Sequence, residues 1–114
     1  MVRTLTCLSL GSFCALLRSL ETGEARGLRP CASLADVFDA LWDDRAGFDR
    51  VVAEVAPEEE RDLRGLAECY PAVAFWVVGA GPAAGAGNVA AFATLAELLG
   101  HAARRPGVAL RQAR

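Results

Sequence analysis

Lysine and isoleucine are absent from this sequence of 114 residues, and all twelve basic residues are arginine. Fourteen acids outweigh them and leave a formal charge of -2. No basic stripe is present that would displace counterions from phosphates, which argues against a nucleic-acid partner. The lack of lysine is typical of a GC-rich coding sequence, so an arginine in place of lysine says little about its own site.

Histidine is scarce as well, since His101 is the only one. The cysteines are Cys7, Cys14, Cys31 and Cys69. They include no Cys-x-x-Cys pair, which argues against zinc, and their spacing lacks a disulfide-like pattern, which favours a reducing compartment. Only His101 is available as a base for a serine nucleophile, and no Gly-x-Ser-x-Gly elbow is present. We therefore expect neither a metal site nor enzymatic activity.

Long hydrophobic runs are missing too. The apolar block at 72–78 is far shorter than the roughly 20 residues that cross a bilayer, so no membrane span is expected. Even so, 54% of the residues are hydrophobic and the mean hydropathy is +0.28, which is high for a chain that has room for one domain. The surplus of apolar surface favours a homodimer or an apolar groove.

Apolar residues recur at spacings of three and four along most of the chain, which predicts helices. The predicted helices are 3–20, 33–43, 47–55, 58–69, 71–79 and 88–104. Ser33 is a predicted N-cap with Asp36 reaching back to it, and Pro57 opens another helix. Only 73–78 and 108–110 resemble strands, and two short strands do not make a stable sheet. The pattern predicts an all-α fold.

The glycines after residue 78 allow a second interpretation. Val77 and Val78, followed by Gly79, Gly81 and Gly85, match the strand and Gly-x-Gly-x-x-Gly turn that hold a dinucleotide, with a crossover helix over 88–101. A dinucleotide would then be bound, whereas the all-α interpretation implies no cofactor. The acid expected about 20 residues beyond the loop is missing, and too little chain remains for the other strands. Dinucleotide binding stays as the alternative.

The order of several segments resembles a known family of helical proteins. These segments are 1–5, 38–44 with 48–55 behind it, 62–78, and 88–99 after the glycine-containing joint. In this order they resemble the short poxvirus Bcl-2-like proteins, cytosolic virulence factors that block host NF-κB signalling or apoptosis. In a second register, Gly87 to Phe92 is similar to the BH1 signature of cellular Bcl-2 proteins, with Asn88 in place of the signature's arginine.

The resemblance implies a single domain over 1–114, a Bcl-2-like bundle of about six or seven helices around a central apolar helix. It implies a non-enzymatic viral protein of the host cytoplasm that binds pro-apoptotic BH3 proteins or components of the NF-κB pathway. The groove for such a partner would be lined by Leu34, Phe38, Leu41, Phe48, Val52, Leu66, Phe75, Asn88 and Phe92. Surplus apolar residues of the first helix, Leu5, Leu8 and Phe13, would form a homodimer interface.

Overall fold

A computed structural model describes residues 3–20, 26–43, 47–79 and 87–104, without the side chains of residues 103 and 104. Strands and helices alternate along the described chain, except that the fourth and fifth strands follow one another. The strands are β1 (Thr4–Cys7), β2 (Leu28–Pro30), β3 (Arg50–Glu54), β4 (Ala74–Val78) and β5 (Val89–Phe92). The helices are α1 (Leu10–Ser19), α2 (Leu34–Asp43), α3 (Glu60–Cys69) and α4 (Leu95–Arg104). A 3₁₀ turn, Pro57–Glu59, leads into α3.

The five strands form one sheet in the order β2-β1-β3-β4-β5, and every pair is parallel. This is the doubly wound order 2-1-3-4-5 found in flavodoxin and CheY. The winding changes direction between β1 and β3. In such folds the crevice outside the carboxyl ends of these two strands is the usual place for a ligand.

Helices cover both faces of the sheet, and each face has its own apolar core. One core joins α2 and α3 to the sheet, and the other joins α1 and α4 to the opposite face. Neighbouring strand residues alternate between them: Val51 and Phe75 point to the α2–α3 side, whereas Val52 and Trp76 point to the α1–α4 side. Four of the five residues of β4 are buried, because both of its sides are covered.

Short polar sequences fix where the helices begin. The Asp36 N–H donates to Ser33 Oγ over 3.3 Å, and Asp36 Oδ2 accepts from the Ala32 N–H, so the predicted N-cap of α2 is confirmed. Thr94 and Glu97 make the same reciprocal pair at the start of α4. Each pair satisfies backbone N–H groups that have no partner within the helix.

The predicted all-α bundle is wrong, because the structure contains a five-stranded parallel sheet. The helices predicted over 33–43 and 58–69 correspond to α2 and α3. Of the remaining predicted helices, 47–55 and 71–79 contain the strands β3 and β4, 3–20 contains β1 followed by α1, and 88–104 contains β5 followed by α4. No central apolar helix exists among the described residues, since the sheet occupies the middle of the molecule.

The physical reason is that strands buried on both faces are apolar at nearly every position. Such a run has no period of two, and a short apolar run fits a helical stripe equally well.

The expectation that the chain has no membrane span is upheld within the described ranges, where each helix is too short or too polar to cross a bilayer.

Candidate functional site

The structure separates the nine residues predicted to line one groove. Leu34, Phe38 and Leu66 do line a common groove between α2 and α3. Leu41, Phe48 and Phe75 are buried in the core beneath it. Val52 and Phe92 belong to the core on the opposite side of the sheet.

Asn88, the ninth predicted groove residue, has a structural role. Its side-chain amide donates to the carbonyl oxygens of Ala67, Tyr70 and Val73 over 3.0, 3.1 and 2.9 Å. These bonds join the residue just before β5 to the end of α3 and to the approach to β4. The side chain is therefore occupied within the fold.

The residues predicted to form a homodimer interface are not a common exposed surface. Leu5 lies in β1 and is completely buried. Leu8 is half-buried and packs against the α1–α4 core, and Phe13 of α1 is also half-buried. Leu5 therefore has no access to a second copy.

The groove between α2 and α3 has a volume of about 490 Å³ and is mainly apolar, although Arg61 and Asp62 also line it. Its lining includes Leu34, Ala35, Phe38, Leu66 and the exposed Cys69. Gly65 also lines it, and a Cβ placed at that position would meet nothing within 4 Å. The groove is thus open on the α3 side.

Phe38 and Trp42 stand beside this groove as a stacked pair, with their ring centroids 6.3 Å apart and their planes at 23°. They lie one helical turn apart on α2. Phe38 is 45% exposed and Trp42 is 72% exposed. Large exposed aromatic side chains of this kind are typical anchors of protein interfaces.

The two helices that border the groove carry more acids than arginines. Three exposed aspartates lie on α2, namely Asp36, Asp39 and Asp43. Three further acids lie on α3, namely Glu60, Asp62 and Glu68. Only two arginines, Arg61 and Arg64, lie on these two helices, and the Arg64 guanidinium lies 3.6 Å from the Glu60 carboxylate. The α2–α3 face therefore carries an excess of negative charge.

At the switch point between β1 and β3, the side chain of Glu54 occupies the N-terminus of α1. Glu54 closes β3 and accepts from the Ser9 N–H and the Ser12 hydroxyl, each over 2.7 Å. Burial alone would raise the pKa of the Glu54 carboxyl, but the hydrogen bonds from Ser9 and Ser12 outweigh it and lower that pKa. The carboxylate thus fills the place where a helix N-terminus attracts an anion.

A pocket of about 310 Å³ lies next to this carboxylate, and its lining includes Cys7, Ser33 and a second acid, Glu59. Two carboxylates at its wall repel a phosphate group. Across the described ranges, no three His, Cys, Asp or Glu side chains are grouped as metal ligands would be.

The glycine-rich segment begins after β4. Gly79 has a φ of +92°, and a Cβ at that position would lie 2.9 Å from the Val55 carbonyl oxygen. Gly81 and Gly85 lie outside the described residues. The next described element is the strand β5, and a helix begins only at Leu95. The described elements therefore run strand to strand, whereas a dinucleotide fingerprint runs from strand to helix.

Two features of the site were missed in the sequence. Trp42 continues the apolar stripe of α2, a pattern typical of a buried position, but its side chain is exposed. The position of Glu54 at the switch point can be predicted only when 50–54 is recognised as a strand, because a polar side chain reaches the ligand crevice from the carboxyl end of a parallel strand. The Thr94-x-x-Glu97 capping box was a signal that α4 starts after residue 92.

Comparisons with protein-family models, with curated proteins and with solved structures gave no match for this chain.

Proposed function

We propose that this chain is a non-enzymatic binding module that holds a basic, amphipathic helix of a partner protein on its α2–α3 face. The observation that carries the proposal is the exposed, stacked pair of Phe38 and Trp42 beside an apolar groove. A side chain as large as Trp42 loses about 1.5–3 kcal/mol of hydrophobic stabilisation when it stays in water. A partner that covers it recovers this free energy.

The shape of the groove favours a helical occupant. Two helices border it, and a third helix can place its side chains between their ridges. Ala35, Phe38 and Trp42 succeed one another at spacings of three and four along α2. A partner helix with apolar anchors at i, i+3, i+4 and i+7 matches such a surface.

The charge of the face indicates a basic partner. Acids outnumber arginines by six to two on α2 and α3, and all three aspartates of α2 are exposed. Arginine or lysine residues beside the apolar anchors would be attracted to Asp39 and Asp43 and would speed association. The same charge opposes face-to-face pairing of two copies, because an isologous interface would bring these acids together.

The switch point supports a binding role rather than a cofactor-dependent one. Flavodoxin holds FMN at this place, but fold alone does not define function. Here the Glu54 carboxylate already takes the Ser9 N–H and the Ser12 hydroxyl. The resemblance implied host partners and a location in the host cytoplasm, and both depended on a Bcl-2-like bundle. Helix binding on the α2–α3 face does not require such a bundle.

The test is a calorimetric titration with a designed 20-residue amphipathic helix, about 30 Å long, that carries leucine anchors and flanking arginines. We expect binding at low salt that weakens as salt is added. Trp42→Ala should weaken binding at least about tenfold, as expected for an interface anchor. Leu10→Ala is the matched control, because Leu10 is 80% exposed but lies on α1, and it should leave binding unchanged.

Three outcomes would contradict the proposal: no binding, equal binding by a peptide with glutamate in place of arginine, or equal binding by Trp42→Ala. NAD and FAD are titrated in parallel. A heat of binding with either cofactor, together with no detectable binding of the peptide, would favour the dinucleotide alternative.

A further inference from the structure

Two cysteines lie side by side at the carboxyl edge of the sheet. Strands β1 and β2 pair in parallel with Thr6 opposite Pro30, so the next residues in this register are Cys7 and Cys31. The Cys31 N–H donates to the Thr6 carbonyl over 2.6 Å and continues the ladder past the end of β2. Neighbouring strands are about 4.8 Å apart, which falls within the Cα separation that a disulfide spans.

Both side chains point to the same face of the sheet. Cys7 and Cys31 are half-buried, and each packs against the α2–α3 core. They are close enough for a charge on Cys31 to affect the ionisation of Cys7. Cys14 and Cys69 lie on α1 and α3, away from this pair.

We propose that Cys7 and Cys31 are a redox-active dithiol that closes to a reversible disulfide when the protein meets a peroxide. Access is provided by the pocket of about 310 Å³ at the switch point, because Cys7 forms part of its wall. The disulfide would fasten the edge strand β2 to its neighbour β1.

The chemistry balances with hydrogen peroxide as the oxidant. The Cys7 thiolate attacks one peroxide oxygen, the O–O bond breaks, and the departing hydroxide takes a proton to become water. The resulting Cys7 sulfenic acid is attacked by the Cys31 sulfur, which forms the S–S bond and releases a second water. The two thiols together lose two electrons, and one peroxide is reduced to two waters.

The environment makes this reaction depend on pH. Burial is the main cause that raises the pKa of both thiols. The acids Glu59, Asp36 and Glu54 raise the pKa of Cys7 further, whereas at Cys31 the positive charge of Arg29 opposes the increase and Asp36 adds to it. Only thiolate reacts, so the oxidation should be slow at neutral pH. Its rate should rise about tenfold per pH unit until the thiol that attacks is ionised.

The experiment oxidises the wild-type chain with a small excess of hydrogen peroxide and then counts thiols and maps peptides. We expect two of the four thiols to be lost, the mass to fall by about 2 Da, and dithiothreitol to reverse both changes. Trypsin should release peptide 4–18 joined to peptide 27–45, and fragmentation identifies Cys7 rather than Cys14 in the first of them.

A pair of double variants sharpens the test, each checked for native circular dichroism. Cys14→Ser with Cys69→Ser should still form the intramolecular disulfide, and its melting temperature should rise by about 5 °C or more on oxidation, because the bond closes a long loop. Cys7→Ser with Cys31→Ser should keep both remaining thiols. The proposal is overturned if wild-type protein retains four thiols, or if Cys7 is recovered paired with Cys14, bonded to a second molecule or as sulfinic acid.

Discussion

Replacement of Asn88 should destabilise the domain more than its half-buried position suggests. Its amide lies within hydrogen-bond distance of three carbonyl oxygens, at 3.0, 3.1 and 2.9 Å, and these belong to the end of α3 and to the residues that lead into β4. Asn88→Ala removes both donors of the amide. The backbone bond from the Phe75 N–H to the Asn88 carbonyl is left in place.

The magnitude follows from the number of hydrogens. An amide nitrogen carries two hydrogens, so at most two full hydrogen bonds are lost although three carbonyls are within reach. At about 0.5–1.5 kcal/mol each, the free energy of unfolding should fall by about 2 kcal/mol. For a domain of this size, the melting temperature should fall by about 8 °C.

Asn88→Asp should be worse than Asn88→Ala at neutral pH. A carboxylate there faces carbonyl oxygens and lies near the negative end of the α3 macrodipole, so it is repelled. Protonation restores one donor, and the variant should therefore regain part of its stability as the pH falls below about 5.

Urea denaturation followed by circular dichroism measures both changes. Thr94→Ala is the comparison variant, because it removes one capping bond, from the Glu97 N–H to Thr94 Oγ1, and should cost about 1 kcal/mol. The reasoning is refuted if Asn88→Ala lies within about 0.5 kcal/mol of wild type, or if Asn88→Asp is as stable as Asn88→Ala at pH 7.

Two further substitutions test the switch point and the glycine turn. Glu54→Gln should cost about 1 kcal/mol at pH 7, because hydrogen bonds to a charged acceptor become neutral ones. The folded-state pKa of Glu54 is lowered, so its contribution is present above about pH 4.3 and disappears as the pH falls through that lowered pKa, where denaturation of the two proteins should coincide. Gly79→Ala should cost at least about 2 kcal/mol, because φ is +92° and the Cβ would meet the Val55 carbonyl. Gly11→Ala is its control in thermal denaturation and should raise stability by about 0.5–1 kcal/mol, since nothing lies near its Cβ position in α1.

The helices with polar caps could be predicted from the sequence. Ser33 with Asp36, and Pro57 with the acids that follow it, set the starts of α2 and of the segment that contains α3, because these residues act through neighbouring backbone groups. Local chemistry of this kind does not depend on the rest of the fold.

The strands could not be predicted, because their pattern depends on what covers them. Val51 to Ala53 are all buried, each side chain meeting one core or the other, and this gives a continuous apolar run. Where such a strand is followed within a few residues by a helix, as β5 is by α4, the two merge into one apparent helical stripe. The same holds for the candidate site. The helical pattern brings Leu34, Phe38 and Leu66 together, whereas the position of Glu54 depends on β3 being a strand.

The strand order also determines when the sheet can be assembled. The first strand pair that the chain completes, β1 with β2, lies at the edge, whereas the central pair joins Thr4 to Arg50, 46 positions apart. Contacts over such separations delay folding, because loop-closure entropy must be overcome before they form. During synthesis, β1, which is largely buried in the finished fold, therefore keeps one edge unpaired until β3 has been made. This interval is when the chain is most exposed to aggregation.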